Sequence, residues 1–184
     1  STSGGHDGEQ ARAEHDSSGV WPSDFLYADQ ELATPSHYIA EKVGALGPCY
    51  SISTACTSSA KALISAKALI TADLADVVIC GGVDSLCKLT INGFNALASM
   101  STGMCKPFCD DRDGINIGEG AALFVMSKEA PLENGVMFLG GGESSDAHHI
   151  SAPDPSGNGA KSAMKAALAV ADLLPSDIDY INAH

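Results

Sequence analysis

Apolar residues along the chain form short runs that are separated by glycine-rich and polar segments. Four stretches have a pattern typical of helices, namely residues 34–43, 57–72, 86–98 and 159–174. Apolar side chains surround most of the second stretch, which predicts a helix buried on several sides. The first stretch starts with Thr34 as the expected N-cap and Pro35 as the first helical residue, and it should stop near Gly44 or Gly47. The last stretch should end at Pro175.

Short apolar or β-branched runs predict five strands, over residues 49–53, 77–82, 121–126, 136–140 and 180–184. The second run ends in Gly81 and Gly82 and is expected to be a central parallel strand whose end lies at a site. Strands that alternate with helices in this way indicate a layered α/β fold. Residues 1–20 lack apolar periodicity, so they are predicted to be a surface loop or a disordered segment.

Composition and charge narrow the classes of function. The 184 residues carry a formal net charge of −13 with only ten Lys and Arg. That balance argues against nucleic acid or an anionic membrane as a partner, because neither would find a basic patch. The longest apolar stretch is interrupted by Lys61, Lys67 and Asp73, and the first residues lack a signal-peptide core. Six cysteines without a C-x-x-C pair favour free thiols in a reducing cytoplasm.

The strongest candidate for chemistry is Cys56, which lies in the segment Ser-Thr-Ala-Cys-Thr-Ser-Ser-Ala over residues 53–60. An apolar run precedes it and the predicted buried helix follows. This arrangement predicts a thiol at the first turn of a helix, where backbone N–H groups and the helix dipole favour a thiolate. Most cysteines are simply packed in the core, and we interpret Cys49, Cys80 and Cys87 in that way.

Other chemistries fit the sequence less well. Cys105 and Cys109 with His148 and His149 could be drawn as a zinc site, but their spacing is unlike known zinc sites, so no metal is predicted. The chain contains no G-x-S-x-G or H-E-x-x-H motif and no G-x-G-x-x-G after a strand. His184 ends the last predicted strand, a place where α/β sheets bind ligands, although a surface histidine would look the same.

Five motifs in order carry a resemblance to one family. They are STACTS at residues 53–58, KPFCDDRDG at 106–114, GEGA at 118–121, SSDAHH at 144–149 and NAH at 182–184. Together they resemble β-ketoacyl-[acyl carrier protein] synthases, which are condensing enzymes of the thiolase superfamily. The resemblance covers the chain from about residue 34 onward. Residues 81–94 and 113–119 look more like synthases of aryl polyene clusters than like the enzymes of fatty-acid elongation.

The resemblance implies a thiolase-like layered α/β/α/β/α fold, incomplete at both ends. Residues 1–133 would be the later part of the N-terminal half and residues 134–184 the start of the C-terminal half. It also implies acyl carrier protein as a partner, and a homodimer or a heterodimer with a related synthase or chain-length-factor-like subunit. No cofactor of its own is implied, because the substrates arrive on the phosphopantetheine arm of the carrier.

The resemblance also implies roles for individual residues. Cys56 matches the acyl-accepting nucleophile, and His184 matches a histidine that assists decarboxylation of a malonyl carrier. Phe94 matches an aromatic position beside the acyl pocket. His149 and Ser151 match the loop near the pantetheine entrance.

The chain also departs from the family pattern. It lacks the catalytic lysine and the second histidine, so the isolated 184-residue chain is expected to be inactive in condensation. Two other functions remain open. One is a thiolase-fold acyltransferase or hydrolase that forms a thioester without elongation, and the other is a non-catalytic partner subunit. The presence of Cys56 argues against the latter.

Overall fold

The computed structural model describes residues 6–129, 133–150 and 152–184. Five α-helices are α1 (His6–Ser18), α2 (Thr34–Val43), α3 (Ser58–Thr71), α4 (Lys88–Ala96) and α5 (Asn158–Ala171). Two strands, β1 (Val77–Asp84) and β2 (Gly120–Ser127), form a two-stranded sheet, and short 3-10 turns lie at Tyr27–Gln30 and Pro175–Asp177.

The chain divides into two compact units. The first unit contains Ser1–Leu63 and Val78–Met126, and the second contains Ile64–Val77 and Ser127–His184. The expected boundary between a half over residues 1–133 and a half starting at residue 134 stays a prediction.

The prediction of a loop or disordered segment over residues 1–20 is wrong for residues 6–18, which form α1. This helix is polar, so apolar periodicity could not reveal it. Side chains one turn apart stabilise it, with Gln10 Nε2 donating to Glu14 at 3.0 Å and Arg12 Nε donating to Asp16 at 3.1 Å. Ala11 is buried and gives the helix its packed face.

The other helices lie close to their predicted positions. α2 ends at Val43, and Gly44 follows it with a φ of 69°, a left-handed conformation that glycine adopts easily. Thr34 is not the N-cap, because Ala33 takes that place and the Thr34 hydroxyl donates to the Ala28 carbonyl instead. α5 stops three residues before the predicted end, where Asp172 takes a φ of 55°.

Two of the five predicted strands form. β1 continues through its two glycines to Asp84. Glycine suits position 81 because a Cβ atom there would lie only 2.0 Å from the Ala122 carbonyl oxygen of β2. The predicted strands over residues 49–53, 136–140 and 180–184 are wrong. A β-strand exists only beside a hydrogen-bonded neighbour, and the described residues give these three segments none.

The buried side chains are few and mostly small. Cys80 in β1 and Cys87 before α4 are buried, which confirms their assignment to the core, and burial raises the pKa of the Cys80 thiol. Cys49 is only half-buried, and its Sγ lies 3.6 Å from His37 Nδ1. All residues of β2 except Met126 are exposed, although the strand is almost entirely apolar.

Candidate active site

Cys56 lies in the turn that leads into α3. The helix begins at Ser58, and the first helical hydrogen bond runs from the Lys61 N–H to the Thr57 carbonyl at 3.0 Å. Cys56 therefore precedes the first helical turn instead of lying within it, which corrects the prediction by about one residue. Its side chain is exposed, so a substrate carbonyl can reach the thiol.

The residue before Cys56 has an uncommon backbone conformation. Ala55 has a φ of 54°, in the left-handed region that L-residues other than glycine seldom adopt. Such a conformation costs free energy and persists only where surrounding contacts hold it. The turn therefore has to be fixed by its neighbours.

Hydroxyl groups supply those contacts. The Ser58 Oγ accepts a hydrogen bond from the Thr54 N–H at 2.8 Å and donates one to the Ala55 carbonyl at 2.7 Å. The Thr57 hydroxyl lies 2.8 Å from the Thr54 carbonyl. Ser58 is buried, so these bonds are sheltered from water. The hydroxylated residues around the cysteine hold the turn and do more than leave space for a substrate.

β1 packs against the start of α3 through a glycine. A Cβ atom at Gly82 would lie 2.0 Å from Ser59 Oγ and 3.1 Å from Ser59 Cβ, so a larger residue would require the Ser59 side chain to shift. The sequence placed Ser58 in the motif and Gly82 at a strand end beside a site, but it did not predict the contact that either residue makes. The signals were present, since a serine two residues after a candidate nucleophile and a glycine pair at a strand end both suggest tight backbone contacts.

The other predicted site residues are distributed over both units. Phe94 is half-buried on α4, in the same unit as Cys56. His149 and His184 belong to the second unit and are exposed. The strand expected to carry His184 does not form. Ser151 lies outside the described residues.

In the second unit, the segment that carries His149 is fixed to the start of α5. Ser144 Oγ donates to the Gly159 carbonyl at 2.6 Å, and Asp146 accepts from the Asp154 N–H at 2.9 Å. A Cβ atom at Gly159 would lie 1.6 Å from the Asp146 carboxylate, so the Asp146 side chain packs directly against the backbone of Gly159. The N–H and hydroxyl of Ser156 lower the pKa of Asp154.

The residues that the structure describes contain neither a metal-binding cluster nor a membrane-spanning helix. No group of three or more His, Cys, Asp and Glu side chains within them is placed to hold a metal ion. Over the same residues, no helix has the length and apolar character needed to cross a membrane.

Comparison with known proteins gives matches to one family across both units. The model of the beta-ketoacyl synthase N-terminal domain matches residues 1–131, and that of the C-terminal domain matches residues 137–184. A 3-oxoacyl-[acyl-carrier-protein] synthase 2 of Rhizobium meliloti is 39% identical over 151 residues, which cover 75% of this chain and 36% of that protein.

Solved structures of ketosynthases are also similar to this chain. A ketosynthase (ApeO) in complex with its chain length factor (ApeC) from Xenorhabdus doucetiae is 44% identical with a TM-score of 0.84, covering 96% of this chain and 43% of that one. A structure of a type II polyketide acyl-carrier protein in complex with its ketosynthase (AntDE:AntF) is 26% identical with a TM-score of 0.81, covering 96% and 48%. The chain thus spans less than half the length of these relatives.

Proposed function

The chain belongs to the β-ketoacyl synthase family and has part of a thiolase-like α/β fold, as the sequence motifs predicted, and from this premise we propose that it carries the acyl-accepting cysteine of a condensing enzyme. The observation that carries the proposal is Cys56 itself. An exposed thiol lies in a turn fixed by buried Ser58 directly before a helix, inside the segment that matches the family.

The first half-reaction loads an acyl group. The Cys56 thiolate attacks the carbonyl carbon of an acyl thioester on a carrier protein's phosphopantetheine arm. A new C–S bond forms to Cys56, the old C–S bond breaks, and the carrier leaves as a thiol that has taken up the proton lost by Cys56. The backbone N–H of Cys56 would form one side of the oxyanion hole and stabilise the tetrahedral intermediate.

The second half-reaction makes the carbon–carbon bond. A malonyl carrier loses carbon dioxide, and the electron pair of the broken C–C bond remains on the carrier-bound fragment as an enolate. The enolate carbon attacks the Cys56 thioester, the C–S bond breaks, and Cys56 returns to the thiolate. His184 would assist decarboxylation and hold the enolate oxygen, a role that rests on the resemblance of residues 182–184 to the family motif.

The substrates and partners follow from the same premise. Acyl carrier protein would deliver both substrates, with Phe94 beside the acyl chain and His149 and Ser151 near the pantetheine entrance, and no cofactor would be needed. The ApeO ketosynthase assembles with a chain length factor, which supports a heterodimer with a related subunit as an alternative to a homodimer. We place the protein in the cytoplasm and in fatty acid or polyketide synthesis, with aryl polyene synthesis as the preferred pathway.

Covalent labelling tests the proposal. The natural polypeptide is incubated with an acyl carrier protein that bears a thioester, and intact and peptide masses are measured. We expect one acyl group on Cys56, its loss in Cys56→Ala and no change in Cys109→Ala, because Cys109 is also an exposed thiol but lies outside the turn. Adding malonyl carrier should then release an elongated product from the natural polypeptide, whereas the 184-residue chain by itself is expected to stop at the acylated cysteine. Acylation without elongation would indicate a non-elongating transferase, and a folded protein without acylation would indicate a partner subunit.

A further inference from the structure

Two glutamates from distant parts of the sequence meet at the N-terminus of α4. Glu9 of α1 accepts a hydrogen bond from the Lys88 N–H at 2.7 Å, and its second oxygen lies 3.7 Å from the Lys88 ammonium. Glu119, just before β2, accepts from the Leu86 N–H at 3.1 Å. Both carboxylates thus bind backbone groups where the chain enters α4.

The helix needs these partners. Its N-cap residue is Cys87, whose side chain makes no capping hydrogen bond to the backbone. The first N–H groups of a helix have no partner within it, and they attract negative charge because of the helix dipole. Glu9 therefore pairs the first N–H group of α4 from outside the helix, and Glu119 holds the backbone one residue before the N-cap.

The contacts fix α4 relative to the strand that supports the candidate nucleophile. Residues 85–87 join β1 to α4, and Glu119 holds this connection at Leu86. Within β1, Gly82 packs against Ser59, which lies in the first turn of α3 after the Cys56 turn. α4 in turn carries Phe94. All of these residues belong to the first unit.

We propose that Glu9 and Glu119 are positioning residues that set which acyl chains Cys56 accepts, by holding α4 and with it Phe94. The inference rests on the proposed function, because it takes Phe94 as a wall of the acyl pocket. A displacement of α4 would change the depth of the pocket for the chain without touching the thiol. The effect would therefore appear in the choice of acyl chain more than in the ability to form a thioester.

The test compares acyl donors of different length. Acylation of Cys56 in the natural polypeptide is followed by mass spectrometry with butyryl and with dodecanoyl carrier protein. The ratio of the two second-order rate constants of acylation is then determined. We expect Glu119→Ala and Glu9→Ala each to change this ratio in the same direction by about fivefold or more, since a pocket discriminates strongly between chains of different length. Glu119→Gln retains an acceptor for the Leu86 N–H, so it should restore the ratio to within about twofold of the wild type.

The controls separate this inference from the proposed function and from a merely structural role. Glu41→Ala removes an exposed glutamate of α2 and should leave the ratio unchanged. If wild-type protein acylates Cys56 but both alanine variants keep the wild-type ratio, the inference is overturned, even if their melting temperatures fall. If Glu119→Ala does not fold, Glu9→Ala alone decides. Absence of acylation in the wild type would instead overturn the proposed function.

Discussion

At the scale of single residues, the Cys56 turn is held by the hydroxyl group of Ser58. Ser58 Oγ both accepts from the Thr54 N–H and donates to the Ala55 carbonyl, and it is buried. Ala55 keeps its left-handed conformation because these bonds hold it. The rate at which Cys56 is acylated should therefore depend on the two hydrogen bonds of the Ser58 hydroxyl.

Ser58→Ala should lower the free energy of unfolding by about 1–3 kcal/mol, because it removes both hydrogen bonds that the buried Ser58 hydroxyl makes, with the Thr54 N–H and the Ala55 carbonyl. It should also slow acylation of Cys56 in protein that remains folded. Urea unfolding and the acylation rate measure the two effects. Ser23→Ala, at an exposed serine, is the matched control and should change neither. A Ser58→Ala protein with wild-type stability would show that the turn is held by other contacts.

A second residue links stability to pH. Asp113 accepts from the Ser101 hydroxyl at 2.7 Å, the Thr102 N–H at 3.2 Å and the Thr102 hydroxyl at 3.1 Å. The Ser101 bond is the largest of the causes that lower the pKa of Asp113 below its ordinary value. A lowered folded-state pKa contributes stability above the ordinary aspartate pKa of about 4, and this is lost as the pH falls through the lowered value.

Asp113→Asn should therefore be less stable than the wild type at neutral pH, and the difference should shrink below about pH 4 as the wild-type carboxylate becomes protonated. Urea midpoints measured from neutral to acidic pH give the comparison. Asp110→Asn, at an exposed aspartate of the same loop, should show a smaller pH-dependent difference. A difference that stays constant into acid would contradict a role for the ionised form of Asp113.

At the scale of elements, two glycines have opposite roles. Gly81 has a φ of 155°, and a Cβ atom there would lie 2.0 Å from the Ala122 carbonyl oxygen and 3.0 Å from the Leu123 Cα, both backbone atoms of β2. The neighbouring strand cannot move aside without losing its pairing. Gly93 lies within α4, and a Cβ atom there would meet nothing within 4 Å.

Gly81→Ala should destabilise the protein by roughly 1–3 kcal/mol, because the methyl group forces β1 and β2 apart. Gly93→Ala should stabilise it by about 0.5–1 kcal/mol, because alanine loses less backbone freedom in a helix. Thermal unfolding of the two variants is a direct comparison of one substitution at two sites. Equal effects on the midpoint would show that the contact between β1 and β2 does not decide the outcome.

The elements also show how far the sequence could predict the fold and the site. Helices α2 to α5 were predictable because their hydrogen bonds are local and their apolar pattern is periodic. The predicted strand over residues 136–140 failed because pairing depends on residues far away in the chain. The polar helix α1 could have been found only from its charged pairs at i and i+4. Cys56 was recognisable from its neighbours, whereas the contacts of Glu9 with Lys88 and of Glu119 with Leu86 join residues far apart in the sequence, which no local pattern shows.

At the scale of the whole molecule, net charge and an exposed apolar strand have opposite effects on self-association. The net charge of −13 repels other copies of the chain. The apolar strand β2 attracts them, since Leu123, Phe124 and Val125 are 49%, 55% and 72% exposed. Within the described part of the chain, β1 is the only strand that pairs with β2, so one edge of β2 offers free backbone groups. An exposed, apolar strand edge is a site of association.

The 184-residue chain should therefore self-associate at micromolar concentration, and more strongly at high salt, because screening weakens the repulsion while leaving the apolar attraction. Val125→Lys places a charge in the strand and should return the chain towards the monomer. Val20→Lys adds the same charge at a similarly exposed valine outside the sheet, and should have a smaller effect because it changes only the net charge. Sedimentation velocity at low and high salt separates these cases. Equal effects of the two variants would attribute association to overall charge and not to β2.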